Sequence, residues 1–401
     1  MRVCFECQSC YDDSEDYCVE EGHPVLSQIR DGSPDIAPGY RLDLLLDTGI
    51  KGETYLAHQT ESGGTCLIRI VSADVETSRQ FLSNAEMAAA FFHPGVVDVY
   101  EAGHLKTGEV FVVSENTYGD TLREVLDNER VPDLLTTIRV IRQAAEALEA
   151  LHSQGMTHGA VNPDNIVLTT DAHNQLLVRL KDIDFGGVIA RSVMANKFLI
   201  DSALNMLKYF APEQCSGSGS GPQSDIYSLG IVLHEMLAGA PPFNASKAVG
   251  LIEQHRKHQP PEIKIDNFDL RMLLTHTLAE ALQKQPELRQ RTANAFARQM
   301  RHIEQLKTHA TIPPPAGTTR PAPQRSAAVF TSSNDPARFV TPAPEPVEEP
   351  AAAVPAAEMP DPIATSAVEI EDEPVAEIVP ARAAKALPII DDLLIDGPKD
   401  H

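Results

Sequence analysis

Cys4, Cys7, Cys10 and Cys18 all fall within the first eighteen residues, and thiols clustered this closely are the first groups in the chain that could do chemistry. Cys7-x-x-Cys10, followed by Cys18-x-x-Glu21-Gly22-His23-Pro24, makes two short turns of the kind that clamp one tetrahedral zinc. Cys7, Cys10 and Cys18 supply three ligands in this reading and His23 the fourth, with Cys4 or Glu21 as alternatives, since zinc accepts S, N and O donors. The metal's expected role is structural, because no open coordination position is implied. The competing reading is an acidic tail whose thiols bind nothing. Residues 1–28 are too few to bury a core of their own without a staple, which favours the metal.

A second set of candidate residues lies in mid-chain. Met156-Thr157-His158-Gly159-Ala160-Val161-Asn162-Pro163-Asp164-Asn165 is followed, after a polar turn, by Asp182-Ile183-Asp184-Phe185-Gly186. The elements that must hold these loops are legible by periodicity. Leu135, Ile138, Ile141, Ala145, Leu148 and Leu151 recur at helical spacing and predict an amphipathic helix ending at Gly155. Upstream, from Tyr40, short β-type runs include Leu44–Ala57, Thr65–Val71 and Val110–Ser114, with a helix expected over about Thr77–Phe92 between the last two.

The pattern H-x-x-x-x-P-x-N followed by D-F-G resembles the catalytic and metal-binding loops of the bacterial eukaryotic-like Ser/Thr protein kinases. Other elements appear in the family's order: His93-Pro94, Ala211-Pro212-Glu213, Asp225–Leu237 and Pro241-Pro242-Phe243. The N-terminus, in turn, resembles a bacterial zinc ribbon with Glu21 where its last cysteine would stand. The implied architecture is α+β: a zinc-ribbon-like segment over 1–28 and a bilobal kinase-like domain over 40–308, with a β-rich small lobe and a helical large lobe. Residues 309–385 read as a disordered Pro/Ala/Glu-rich linker, since such composition cannot repay the entropy of folding. An acidic–apolar motif at 386–401 could dock on a signalling partner.

Carried over residue by residue, the resemblance implies ATP held by Gly49 and Gly52 of a glycine-bearing hairpin, by Arg69 in place of the strand lysine, and by the hinge backbone from Glu115 to Thr117 beside a small Ser114. It implies Mg²⁺ held by Asn165 and Asp184. The chemistry, however, is depleted. Ala160 stands where the catalytic aspartate belongs, and Asn162 replaces the catalytic-loop lysine. Gly159 replaces the arginine that reads a phosphate on the activation loop. Asn84 replaces the helix glutamate, and the family's activation-segment threonine falls near Met206. Losing a positioned general base costs about 10²–10⁴-fold in rate. The expected protein is therefore a pseudokinase. A weakly active kinase with Arg69 paired to Glu86 and Asp164 or another carboxylate as base is the first alternative, and a zinc-ribbon adaptor that binds no nucleotide is the second. Arg289 is expected to pair with Glu213 as a structural strut.

Bulk composition narrows the partners. Over 401 residues the formal net charge is −24, which argues against nucleic acid, a partner that needs clustered Lys and Arg. The chain has no run long and apolar enough to span a membrane and no basic-then-apolar leader, so a cytoplasmic location is expected.

Overall fold

The computed structural model describes residues 1–24, 27–37, 39–49, 52–128, 132–183, 194, 200 and 203–310. Asp184-Phe185-Gly186, the expected linker from 311 onward and the 386–401 motif lie outside the described residues.

The small lobe is an antiparallel sheet of six strands: β4 (Asp35–Ala37), β5 (Tyr40–Gly49), β6 (Gly52–Gln59), β7 (Thr65–Val71), β8 (Val99–His104) and β9 (Val110–Glu115). Their order is β4-β5-β6-β7-β9-β8. Alternation along β7 buries Cys66, Ile68 and Ile70 on one face, where they pack with Leu42, Tyr55, Phe111 and Val113. The opposite register delivers Leu67 and Arg69 to the other face.

Helix α1 (Val75–Ala89) crosses this sheet. The Asp74 side chain starts it, accepting from the N–H groups of Glu76 and Thr77, so it begins two residues before the expected Thr77. Phe81, Ala85 and Ala88 recur at helical spacing and bury against Val71, Val99, Val110 and Val112.

Three two-residue strands, β1 (Arg2–Val3), β2 (Cys10–Tyr11) and β3 (Ser27–Gln28), form a separate N-terminal sheet in the order β2-β1-β3. It has no core of its own: Met1, Val3 and Cys10 are buried in the small-lobe core.

The large lobe is helical. It comprises α2 (Leu122–Asp127), α3 (Leu134–Ser153), α4 (Leu204–Leu207), α5 (Pro222–Ala238), α6 (Ala248–Lys257), α7 (Phe268–Ala281) and α8 (Ala293–Ala310). A small sheet of β10 (Asp120–Thr121), β11 (Ile166–Thr170) and β12 (Leu176–Leu180) packs on it. Asp133 caps α3, and Gly155 in left-handed backbone at φ 74° follows its end, as the sequence leads one to expect.

Helix α5 is the axis of the lobe and is buried from Ser224 through Met236. A helix apolar on all sides belongs inside a core. Pro222 opens it, and Gly239, left-handed at φ 79°, closes it by donating to Glu235 O at 2.8 Å. Arg289 reaches Glu213 through both guanidinium ends, at 2.7 and 2.9 Å, which is the strut implied by the sequence.

Candidate functional site

The loop between α3 and β11 is fixed from below by one carboxylate. Asp225, buried on α5, accepts the N–H groups of His158 and Gly159 at 2.8 Å each, and its Oδ2 lies 2.8 Å from His152 Nε2. From the side, Gln214 donates to Gly159 O at 2.8 Å, tying the A-P-E segment to the same loop.

Held in this way, Ala160 is buried. Its carbonyl accepts the side-chain amides of Asn162 at 3.0 Å and Asn165 at 2.9 Å. Asn162 also caps the short 3₁₀ turn Pro163–Asn165 by accepting from Asp164 N–H at 2.9 Å. The loop therefore keeps its shape with a methyl group where a proton acceptor would be needed. With its amide nitrogen committed to Ala160 O, Asn165 retains a side-chain carbonyl suited to a hard cation. Asp164 is exposed.

Above the loop a cleft of about 820 Å³, counted to its open mouth, runs between the lobes. Thr54, Leu67 and Arg69 form one wall, Ser114, Glu115 and Thr117 the back, and Val167, Lys181, Asp182 and Ile183 the floor. Arg69 forks onto Asp182, with Nη1 to Oδ1 at 2.7 Å and Nη2 to Oδ2 at 3.0 Å, and its Nε donates to Thr54 Oγ1 at 3.3 Å. It does not reach Glu86, which lines a different hollow with Ser78, Arg79, Leu82 and His104, while Asn84 is buried on α1. The expected alternative pairing of Arg69 with Glu86 is thus corrected. Two residues along a helix turned Glu86 to another face.

Asp182 is a candidate cleft residue that the sequence pattern did not single out. Leu180, at the end of β12, is pinned on both sides: its N–H donates to Gly95 O and its carbonyl accepts from Val97 N–H, each at 2.8 Å. Lys181 N–H then donates to Asn165 O at 3.0 Å, so the next residue, Asp182, enters the cleft beside the catalytic loop. It does so in left-handed backbone at φ 63°, a conformation that costs a non-glycine residue about 1–3 kcal/mol and persists where surrounding contacts impose it. The exact D-F-G match points to Asp184, which lies outside the described residues. The discriminating signal was strand register, since the inward alternation Val178, Leu180 places the next inward residue at 182.

Glu115 and Thr117 line the cleft as expected. Burial pushes the Glu115 carboxyl up, but Arg179, at 2.5 Å, outweighs it and holds the group below its usual range. Gly49 and Gly52 differ from expectation. They pair with each other across the hairpin and line a separate hollow with Arg30, Glu53 and Glu109, not the cleft wall. β5 stays paired with β6 as far as Gly49 and Gly52. Gly52 is needed there for another cause: at φ 95°, an added Cβ would lie 2.1 Å from Ile70 O.

At the N-terminus the structure gathers Cys4, Cys7 and Cys18, whose sulfurs all lie within 4.8 Å of one another. Cys10 is not among them. It sits on β2, facing the small-lobe core, and burial followed by the nearby Asp43 carboxylate pushes its thiol up to about 12. This corrects the expected ligand set, because the overlapping Cys4-x-x-Cys7 and Cys7-x-x-Cys10 spacings are indistinguishable in sequence and only strand direction separates them. His23 Nε2 lies 3.8 Å from Cys4 Sγ, and Glu21 is exposed, with its N–H 3.4 Å from Cys18 Sγ.

A β-rich lobe, a helical lobe hung on a buried central helix, and a cleft between them floored by an Asp-anchored loop define the protein kinase fold. The chain belongs to that family: residues 40–312 match the protein kinase domain. Among its relatives are the serine/threonine-protein kinases PknB of Mycobacterium leprae, 29% identical over 71% of this chain, and PknA of Mycobacterium tuberculosis, 30% identical over 75% of this chain and 68% of PknA. The chain spans 45% of the length of the former. Among solved structures, a double mutant of the Mycobacterium tuberculosis PknI kinase domain superposes with a TM-score of 0.54 at 25% identity, covering 69% of this chain and all of that one. Among the described residues, no helix is long and apolar enough to cross a membrane.

Proposed function

We propose that this chain is a pseudokinase, a regulatory or scaffold protein that binds ATP in the interlobe cleft without passing its γ-phosphoryl group to a protein. The observation that carries this reading is Ala160, buried in a catalytic-type loop whose backbone is held by Asp225, Gln214, Asn162 and Asn165. The scaffold of the reaction is kept and its base is absent. Removing such a group costs about 10²–10⁴-fold, and Asp164 is no substitute, since it is exposed beyond Pro163.

Oxygen donors suit Mg²⁺, and Asn165 and Asp182 supply them beside the cleft. These two residues would hold the ion, which would screen the charge of the phosphates; Asp184 is the alternative carboxylate. Arg69 would meet a phosphate as a planar fork, not as a point charge. The hinge backbone from Glu115 to Thr117 would hold the adenine.

The Arg69–Asp182 ion pair also favours a second reading, an adaptor that binds no nucleotide, because the pair already satisfies both groups that the ligand would use. In either reading, the 386–401 motif is the proposed docking segment for a signalling partner, and the N-terminal segment holds a structural Zn²⁺.

A thermal-shift titration with ATP separates the two. Stabilisation that grows with ATP, is larger with Mg²⁺ and loses its Mg²⁺ dependence in Asp182→Asn supports the first. No shift at millimolar ATP would remove it, because a ligand selective for the folded state must raise its stability.

A further inference from the structure

The N-terminal thiols lie on two loops with one geometry. In the first, Cys4 N–H donates to Ser9 O at 3.0 Å and Gln8 N–H to Cys4 O at 2.9 Å. In the second, Cys18 N–H donates to His23 O at 2.7 Å and Gly22 N–H to Cys18 O at 2.9 Å. The fifth residue of each loop, Gln8 at φ 63° and Gly22 at φ 68°, is left-handed. The two turns are thus repeats of one knuckle that bring their leading cysteines together. Tyr17 bridges to Pro24 to close the second.

We propose that Cys4, Cys7, Cys18 and His23 bind one Zn²⁺ as a Cys₃His site that staples the N-terminal segment to the small lobe. A tetrahedral zinc with bonds of about 2.3 Å to sulfur and 2.0–2.1 Å to nitrogen sets S···S near 3.8 Å and S···N near 3.6 Å. Cys7 Sγ and Cys18 Sγ are 3.5 Å apart, and Cys4 Sγ and His23 Nε2 are 3.8 Å apart; the three thiols lie within 4.8 Å of one another, and the His23 ring would swing in toward them to close the site. Cys4 and Cys18 are shut off from water, as ligands of a structural site should be.

The surroundings fit as well. His23 Nδ1 lies 3.3 Å from Pro24 O; donating there leaves Nε2 as the ligand atom. Glu21 N–H and the Tyr11 hydroxyl lie 3.4 and 3.2 Å from Cys18 Sγ, placed to support a thiolate. Glu6, at 3.1 Å from His23 Nε2, would have to yield this nitrogen to the metal.

What the staple holds is continuous with the kinase-like lobe. Leu45 N–H, on β5, donates to Gln8 O within the first knuckle at 2.9 Å, and Ser9 bridges to Leu44. Arg30, just past β3, pairs with Glu53 of β6 and with Glu109. This ligand set rests on the structural Zn²⁺ proposed above for the N-terminal segment, and it is independent of nucleotide binding and of phosphoryl transfer.

The test uses the full chain. Elemental analysis of protein purified without added metal should give one zinc per chain. Exchange to Co²⁺ should give the thiolate-to-cobalt charge-transfer band and the visible bands of a tetrahedral site. Cys10→Ala and Glu21→Gln should keep the spectrum. His23→Gln, at a partly exposed position where folding is not at stake, should weaken Co²⁺ binding at least about tenfold. A competing chelator should lower the wild-type unfolding temperature and leave that of Cys4→Ser unchanged. Absence of bound metal in freshly reduced protein, or loss of metal in Cys10→Ala with retention in Cys4→Ser, would overturn the assignment.

Discussion

Replacing Arg289 by Met should be the most damaging single change in the large lobe. Its side chain is fully buried, and its guanidinium donates to Glu213 Oε1 and Oε2 at 2.7 and 2.9 Å, and to the carbonyls of Gln283 and Gln223 at 2.8 Å and Lys284 at 3.2 Å. Methionine would fill much of the volume but leave Glu213 facing only Ser224 Oγ, which donates to Oε1 at 2.7 Å. Breaking one partner of such a pair costs about 3–5 kcal/mol. At about 2.1 cal/mol/K of unfolding entropy per residue, a body the size of the kinase-like domain should melt about 5–9 °C lower. Arg301→Ala is the control, because its pair with Glu146 is solvent-exposed and worth at most about 1 kcal/mol. Differential scanning calorimetry of the three proteins decides the matter. Equal shifts for Arg289→Met and Arg301→Ala would refute the strut.

Two further outcomes follow from the same geometry. Burial, then the nearby Lys284 ammonium, pushes His255 down from 6.5 to about 3, with its Nδ1 3.1 Å from the Tyr227 hydroxyl and Phe243 against its ring. The unfolded chain therefore binds the extra proton first: stability from this group is complete above pH 6.5 and falls by up to about 1.4 kcal/mol per pH unit below it. Urea titrations of wild type and His255→Phe between pH 7.5 and 5 should diverge in slope, and parallel pH profiles would contradict the buried neutral imidazole. Gly52→Ala should destabilise the small lobe by more than about 1 kcal/mol, since its Cβ would meet Ile70 O and its φ is positive. An unchanged melting temperature would mean that the hairpin can rearrange there.

The scaffold of this protein was legible in its sequence where one local pattern fixes one environment. The segment Asp225–Leu237 matched the buried central helix that the family resemblance implies, and Arg289 and Glu213 met as implied because both sit beside it. The residue at position 160 was equally legible, since an alanine side chain offers no proton acceptor in any fold. What escaped was decided by register. Asp182 and Asp184 are two residues apart, and the pinning of Leu180 by Gly95 and Val97 comes from distant residues. Cys4 and Cys10 flank Cys7 at equal spacing, and only the docking of β2 onto the small-lobe core turns Cys10 away from the other thiols. Gly49 and Gly52 matched a phosphate loop in type but not in placement, since they pair with each other and line a separate hollow.

A cleft that keeps its scaffold without a base should bind nucleotide and transfer nothing. The direct measurement is transfer of labelled γ-phosphate from ATP with Mg²⁺, by the full-length chain, to itself and to a generic protein acceptor, with Asp182→Ala and Ala160→Asp alongside. The account predicts no transfer above background for wild type or Asp182→Ala. Steady transfer by wild type that Asp182→Ala abolishes would show an active kinase and contradict it.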